Sequence, residues 1–350
     1  MNELSEQEMA GLLRPLCPFY YWPNYGNLGD LLIAEGTRQF FDRYGLQYRE
    51  FESLGTAAPL EGRVSLVVAG GARFTANWCS AEAEEVMLSP IVETAVVLPH
   101  SINGVDGLMA GLGPDRHLIC REQPSYDYCT SVNSGARCYI ANDMAIALDL
   151  EVLDSHPLDV PLEQLNEEET STLCLLKGGL PERMKASVRS ASVRSSVHGE
   201  EKRVAFLLRN DSEKGVSYCS PFTYDISVAW NTSGRKMRYN ANMLLAFADA
   251  VRQADVVVTD RLHVAIMCWK TGVEVYMLDN SYRKLSGVYR KSLGNEPSVH
   301  LLADGRFTPE LERAWKRLNS PVRLLRWLVG KARRKVAGKL KNLANRLFRR

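Results

Sequence analysis

No run of 18 consecutive apolar residues occurs in the 350-residue chain, so no ordinary membrane-spanning helix is expected. Eight cysteines are present, but none forms a CxxC pair or a regular framework. Most sit among apolar neighbours, as reduced cytosolic thiols would, and neither disulfides nor a zinc-ligand set is expected. No GKS or GKT follows a glycine loop and no GxGxxG occurs, so ATP and NAD are not expected. The opening MNELSEQEMAGLLRP lacks the basic-then-apolar order of a secretory signal.

Acid is missing from the last stretch of the chain. Of the 43 Lys and Arg, 11 fall in residues 321–350, which hold no Asp or Glu; residues 1–320 therefore carry 32 bases against 41 acids. A net charge of +2 hides an acidic body with a basic tail. In the tail Leu324, Leu325, Trp327, Leu328, Val336, Leu340, Leu343, Leu347 and Phe348 recur at helical spacing with bases between them. That is the pattern of an amphipathic helix lying on an anionic surface. A helix packed on the body is the other reading. Nucleic acid is not expected, because the body is acidic and no RNA-binding signature is present.

Short apolar segments alternate with helical stretches along the first half. Cys17–Tyr21, Leu46–Glu52, Val64–Ala69, Ala95–Leu98, His117–Cys120 and Cys138–Ile140 are predicted strands, as in parallel βαβ units. Asp30 is predicted to cap the helix that runs to about Tyr44. The Ser-rich polar stretch 176–202 interrupts the rhythm and is predicted to be a linker or exposed loop. Val204–Arg209 then opens a second unit, with a helix predicted at Asn240–Gln253. Four segments are expected: an α/β domain over 1–175, the linker 176–202, a second α/β domain over 203–312, and the tail 313–350.

Asp255–Tyr289 carries the sharpest local signal. Val256–Val258 reads as a buried parallel strand, and Thr259 or Asp260 is placed to cap a helix whose apolar run is Leu262–Trp269. Arg261 and His263 then stand in the first helical turn at a strand's carboxyl end, where open α/β sheets bind ligands. Helix N-termini attract anions, an Arg offers a bidentate fork, and a His moves protons near neutral pH. A capped helix with a surface ion pair is the bland alternative.

Six motifs in order resemble the polysaccharide pyruvyltransferases: NYGNLGDLLI at Asn24–Ile33, VVAGGARF at Val67–Phe74, VLPHSI at Val97–Ile102, CREQPSYDY at Cys120–Tyr128, NDMAIAL at Asn142–Leu148, and TDRLH at Thr259–His263 followed by LDNSYRKLSGVY. The resemblance spans roughly Tyr20 to Tyr289 and implies two Rossmann-like domains facing a central cleft, similar to glycosyltransferase-B enzymes, with the basic amphipathic helix appended. It implies phosphoenolpyruvate as donor, a cyclic pyruvate ketal as product and no cofactor or metal. Carried over residue by residue, Arg261 becomes a donor-anion contact, His263 the first general acid or base, and Arg121 a second anion clamp.

Gly26, Asn27, Gly29 and Asp30 become a substrate loop or a structural turn, and Gly70 and Gly71 have the same two readings. Ala72 and Arg73 stand where relatives often carry Gly or Asn, which departs from the pattern. His100 and Arg209, the latter near Asp211 and Glu213, become contacts to acceptor or donor, with structural roles equally open. Asp143 is a cap or a cleft-facing residue. Asn280, Ser281 and Lys284 complete the expected binding set.

The expected protein is a cytoplasmic pyruvyltransferase of exopolysaccharide biosynthesis, held at the inner membrane face by residues 321–350, with a lipid-linked saccharide as acceptor. A nucleotide-sugar glycosyltransferase of the same architecture and a non-catalytic membrane-recruited subunit are the competing readings.

Overall fold

The structure, a computed structural model, describes residues 2–50, 63–132, 135–153, 167–211, 218–230, 237–279 and 284–347. Six strands form the first sheet: β1 (Phe19–Trp22), β2 (Tyr48–Glu50), β3 (Val64–Val68), β4 (Val92–His100), β5 (Arg116–Cys120) and β6 (Arg137–Ile140). Their order is β2-β1-β3-β4-β5-β6 and every pairing is parallel. The chain moves outward from β1 to β2, then returns to lay β3 on the other side of β1. The loops after β1 and β3 therefore diverge, and an open α/β sheet leaves a ligand crevice at such a reversal.

The second sheet holds β7 (Ser192–Val197), β8 (Glu200–Leu207), β9 (Val256–Thr259), β10 (Glu274–Leu278) and β11 (Val299–Leu302). Its order is β11-β10-β9-β8-β7, parallel except for β7, which pairs antiparallel with β8. His198 and Gly199 turn this hairpin, both at positive φ, as a two-residue hairpin turn favours.

The stretch 176–202 is thus not a linker. It ends the helix Glu167–Lys177, forms the helix Leu180–Ser190, and supplies β7. A helix on a sheet face needs only a narrow apolar stripe, here Met184 and Val188. An edge strand needs only alternate buried positions, here Ser195 and Val197. Low apolar content concealed both elements.

The helix Leu28–Tyr44 joins the two halves. Leu28, Leu31, Leu32, Ile33, Phe40 and Phe41 belong to one buried cluster with Phe19 and Tyr21 of β1 and with Phe247, Val264 and Met267 beyond the second sheet's strands. Separate clusters cover the other face of each sheet. A shared core fixes how the carboxyl ends of the two sheets meet, because close-packed interiors resist sliding.

The C-terminal helix spans Pro321–Leu347. Its first turns touch the body: Arg323 donates to the Ser190 and Ser192 carbonyls and lies over the Phe222 ring at 4.8 Å. Val322 and Leu325, each 62 % exposed, share a face with exposed Val329. Among the described residues no helix is long and apolar enough to cross a membrane.

Candidate active site

A cleft of about 430 Å³ opens where the carboxyl ends of the two sheets meet, and both halves line it. The first half contributes Asn24, Tyr25, Gly26, Asn27 and Asp30 after β1, Gly71, Ala72, Arg73 and Trp78 after β3, and Arg121 after β5. The second contributes Arg209, Asp211, Ser227 and Val228 between β8 and β9, Asp260, Arg261, Leu262 and His263 after β9, and Leu285.

Asn27, not Asp30, caps the helix Leu28–Tyr44. Its side chain accepts the Gly29 N–H at 2.7 Å, while Asp30 Oδ2 accepts the Asn27 N–H at 2.9 Å. This reciprocal box satisfies the first amides and fixes the loop. Gly29 is required by packing: a Cβ there would collide with Nδ1 of His263 from the other half. Gly71 sits at φ 131°, and a Cβ on it would lie 2.5 Å from the Asn24 amide nitrogen. Asn24 donates to the Gly70 carbonyl at 2.6 Å and accepts from Arg73 Nε at 2.8 Å. The loops after β1 and β3 are thereby tied at the sheet reversal.

Arg121 is fully buried. Its Nη1 donates to Asp143 Oδ2 at 2.7 Å and its Nε to Ser101 Oγ at 2.9 Å, while Nη2 has no hydrogen-bond partner. Asp143 caps the short turn Met144–Ala147 by accepting the Ala145 N–H at 2.8 Å. Burial opposes its charge, but Arg121, His263 and that amide outweigh burial and hold the carboxyl well below the usual range. His263 Nε2 is buried 3.6 Å from Asp143 Oδ2, an electrostatic contact longer than a hydrogen bond. Asp143 from the first half thus stands between Arg121 and the histidine of the second.

The opposite wall is an ion network. Arg209 Nε and Nη2 donate to Asp211 at 2.6 and 3.1 Å. Arg261 Nη2 donates to Asp211 at 2.7 Å and to Asp225 at 2.6 Å, and its Nε reaches Asp225 at 3.2 Å. Neither Thr259 nor Asp260 caps the helix Leu262–Lys270. Arg261 holds the cap position without a side-chain bond, Thr259 Oγ1 accepts the Arg261 N–H at 3.1 Å, and Asp260 turns back to accept the Arg209 N–H at 2.8 Å. Burial pushes the Asp260 carboxyl up to about 6, against the lowering by the Arg209 amide and guanidinium. Among the described residues, no group of three or more His, Cys, Asp or Glu converges as metal ligands would.

The profile of the Polysaccharide pyruvyl transferase family matches residues 27–282. This chain belongs to that family. EpsO of Bacillus subtilis (strain 168), named a candidate pyruvyl transferase, is 23% identical over 316 residues, covering 85% of this chain and 93% of its own. An uncharacterized protein of Klebsiella pneumoniae subsp. pneumoniae NTUH-K2044 shares the fold. Its crystal structure superposes with a TM-score of 0.61 and 24% identity, over 85% of this chain and 98% of that one.

Of the residues singled out by the family motifs, Gly26, Asn27, Asp30, Gly71, Arg121, Arg209, Arg261 and His263 meet at the pyruvyltransferase cleft. Gly29 and Gly70 support it from behind; a Cβ on Gly70 would lie 2.7 Å from the Pro99 carbonyl. His100 does not line the cleft. It is fully buried, with Nε2 accepting the Phe74 N–H at 3.1 Å and Nδ1 3.2 Å from the Ala69 carbonyl, so it fastens backbone instead of substrate. Asn280, Ser281 and Glu213 lie outside the described residues, and Lys284 opens the short helix Lys284–Val288. The sequence reading left out Arg73, Trp78, Asp225 and Asp260 as site residues and gave Asp143 only a supporting part. Asp143, at the end of a strand inside a family motif, was the one with a usable signal.

Proposed function

We propose that this family member transfers pyruvyl from phosphoenolpyruvate to two hydroxyls of one hexose in a bacterial saccharide, leaving a cyclic ketal and free phosphate. The observation that carries this reading is the Arg121–Asp143–His263 line, assembled from both halves at the cleft. The two sheets are read as two Rossmann-like domains on a glycosyltransferase-B-like plan, with the second beginning at the helix Leu180–Ser190.

The reaction needs an anion grip and a proton carrier. One hydroxyl oxygen bonds to the donor's central carbon while the methylene takes a proton and becomes methyl. The second hydroxyl oxygen displaces phosphate at the same carbon. Of the two hydroxyl protons, one is balanced by the new methyl proton and the other leaves with phosphate. Asp143, kept ionised, faces His263 Nε2 at 3.6 Å and holds the ring in place. With Nε2 turned to Asp143, Nδ1 is the nitrogen left to exchange protons, and the missing Cβ of Gly29 makes room for the ring that carries it. The first amides of the helix Leu262–Lys270 carry no side-chain cap and favour an anion. Trp78, 55 % exposed, and Val228, 64 % exposed, offer apolar surface at the cleft for the sugar.

Phosphoenolpyruvate should raise the melting temperature of the purified protein, whereas UDP- and GDP-hexoses should not. With lipid extract of a polysaccharide-producing bacterium as acceptor source, the protein should release phosphate from phosphoenolpyruvate. His263→Gln should keep the thermal shift and lose turnover by about 100- to 10,000-fold. Stabilisation by a UDP-hexose alone would hand the cleft to the glycosyltransferase reading.

The acceptor is read as lipid-linked and the protein as peripheral at the inner leaflet, because the basic C-terminal helix keeps Val322, Leu325 and Val329 exposed. Bases near an anionic leaflet contribute on the order of 1 kcal/mol each. The double variant Leu325→Glu, Val329→Glu should lose binding to phosphatidylglycerol vesicles. Unchanged binding would remove the membrane from this reading.

A further inference from the structure

Arg73 is the cleft arginine that the family motifs do not account for. It sits where relatives often carry Gly or Asn, in the loop after β3 and beside the sheet reversal. Its guanidinium carbon lies 3.9 Å over the Trp22 ring, its Nε donates to Asn24 at 2.8 Å and its Nη2 reaches the Pro23 carbonyl at 3.4 Å. Among the described residues no carboxylate forms an ion pair with it; Glu82 and Asp30 act on it only from a distance.

A half-buried cation without a counter-ion is costly unless a ligand supplies the charge. Burial lowers the Arg73 pKa accordingly, yet an arginine stays protonated at neutral pH. The stack on Trp22 and the bond to Asn24 fix the fork before any ligand arrives, which reduces the ordering cost of binding. Arg121 lines the same cleft with a buried, unpartnered Nη2. Arg121 and Arg261 each pair with two carboxylates, Arg121 with Asp143 at 2.7 Å and Glu122 at 3.5 Å, Arg261 with Asp211 and Asp225; among the described residues Arg73 has no such pair.

We infer that Arg73 is a further anion contact of this cleft, which grips the donor's anionic groups from the first wall beside Arg121. This rests on the pyruvyl-transfer reading for the donor's identity, but not for the presence of an anion site.

The test is calorimetric titration of the full chain with phosphoenolpyruvate, inorganic phosphate and UDP-glucose. Arg73→Gln should weaken phosphoenolpyruvate binding about tenfold or more, because it removes a charge-assisted fork. Arg73→Lys should fall between the two, keeping the charge but losing the planar fork. Unchanged phosphoenolpyruvate affinity in Arg73→Gln, at a wild-type melting temperature, overturns the inference; if that variant does not fold, unchanged affinity in Arg73→Lys does so. Wild-type binding of UDP-glucose but not phosphoenolpyruvate, lost in Arg73→Gln, would keep the anion site and overturn the donor. A wild-type chain that binds none of the three overturns both.

Discussion

On one wall of the cleft Arg73 meets no carboxylate among the described residues, and Arg121, though paired with Asp143 and Glu122, keeps one nitrogen unpaired. On the other, Arg209 and Arg261 share Asp211, and Arg261 also grips Asp225. The same residue type does two jobs. An arginine whose fork is filled by aspartates has little left to offer a ligand, but it locks loops together. An arginine with an unused edge in a desolvated wall is an unfilled anion site. Arg73, with no ion pair among the described residues, is therefore the most available of these arginines.

The largest test of this contrast is stability. Arg121→Ala strands Asp143 as a buried charge with only an amide and a distant histidine, and should cost about 3–5 kcal/mol of unfolding free energy in urea. Arg261→Ala should cost clearly less, because Asp211 keeps Arg209 and Asp225 keeps the Asn210 N–H at 3.1 Å. Equal losses would erase the difference between the walls.

A smaller effect concerns pH, and the two walls carry opposite signs. The Asp143 carboxyl is depressed in the folded state, so its contribution is present above the unfolded value of about 3.9 and is lost only in acid. The Asp260 carboxyl is raised to about 6. Its contribution is full below about pH 4 and is lost as pH rises through about 6, on the order of 3 kcal/mol in all. Between about pH 4 and 7 the wild-type urea midpoint should fall, while that of Asp260→Asn should stay flatter. Identical slopes would show that Asp260 does not titrate in this window.

The strands and the DRLH helix were legible because their signals are local. Val256–Val258 is a buried run and Leu262–Trp269 an apolar helix, and their chain order alone puts Arg261 and His263 at a strand end. The hairpin partner β7 and the helix Leu180–Ser190 were not, since an edge strand and a surface helix bury few side chains and leave a polar sequence. His100 looked like a ligand contact because it too follows a strand. Only the fold showed both of its nitrogens spent on backbone.

By itself the sequence determined the α/β alternation, the family, and the set of arginines and histidines that the strand ends carry forward. Tertiary structure decided which of them have partners. Asp143 meets His263, and Asp225 meets Arg261, because the sheet order and the shared core around Leu28–Tyr44 bring distant loops to one edge. No local periodicity encodes such a meeting. An ion pair depends on distance in space, and the chain's spacing says nothing of that until the sheets have packed.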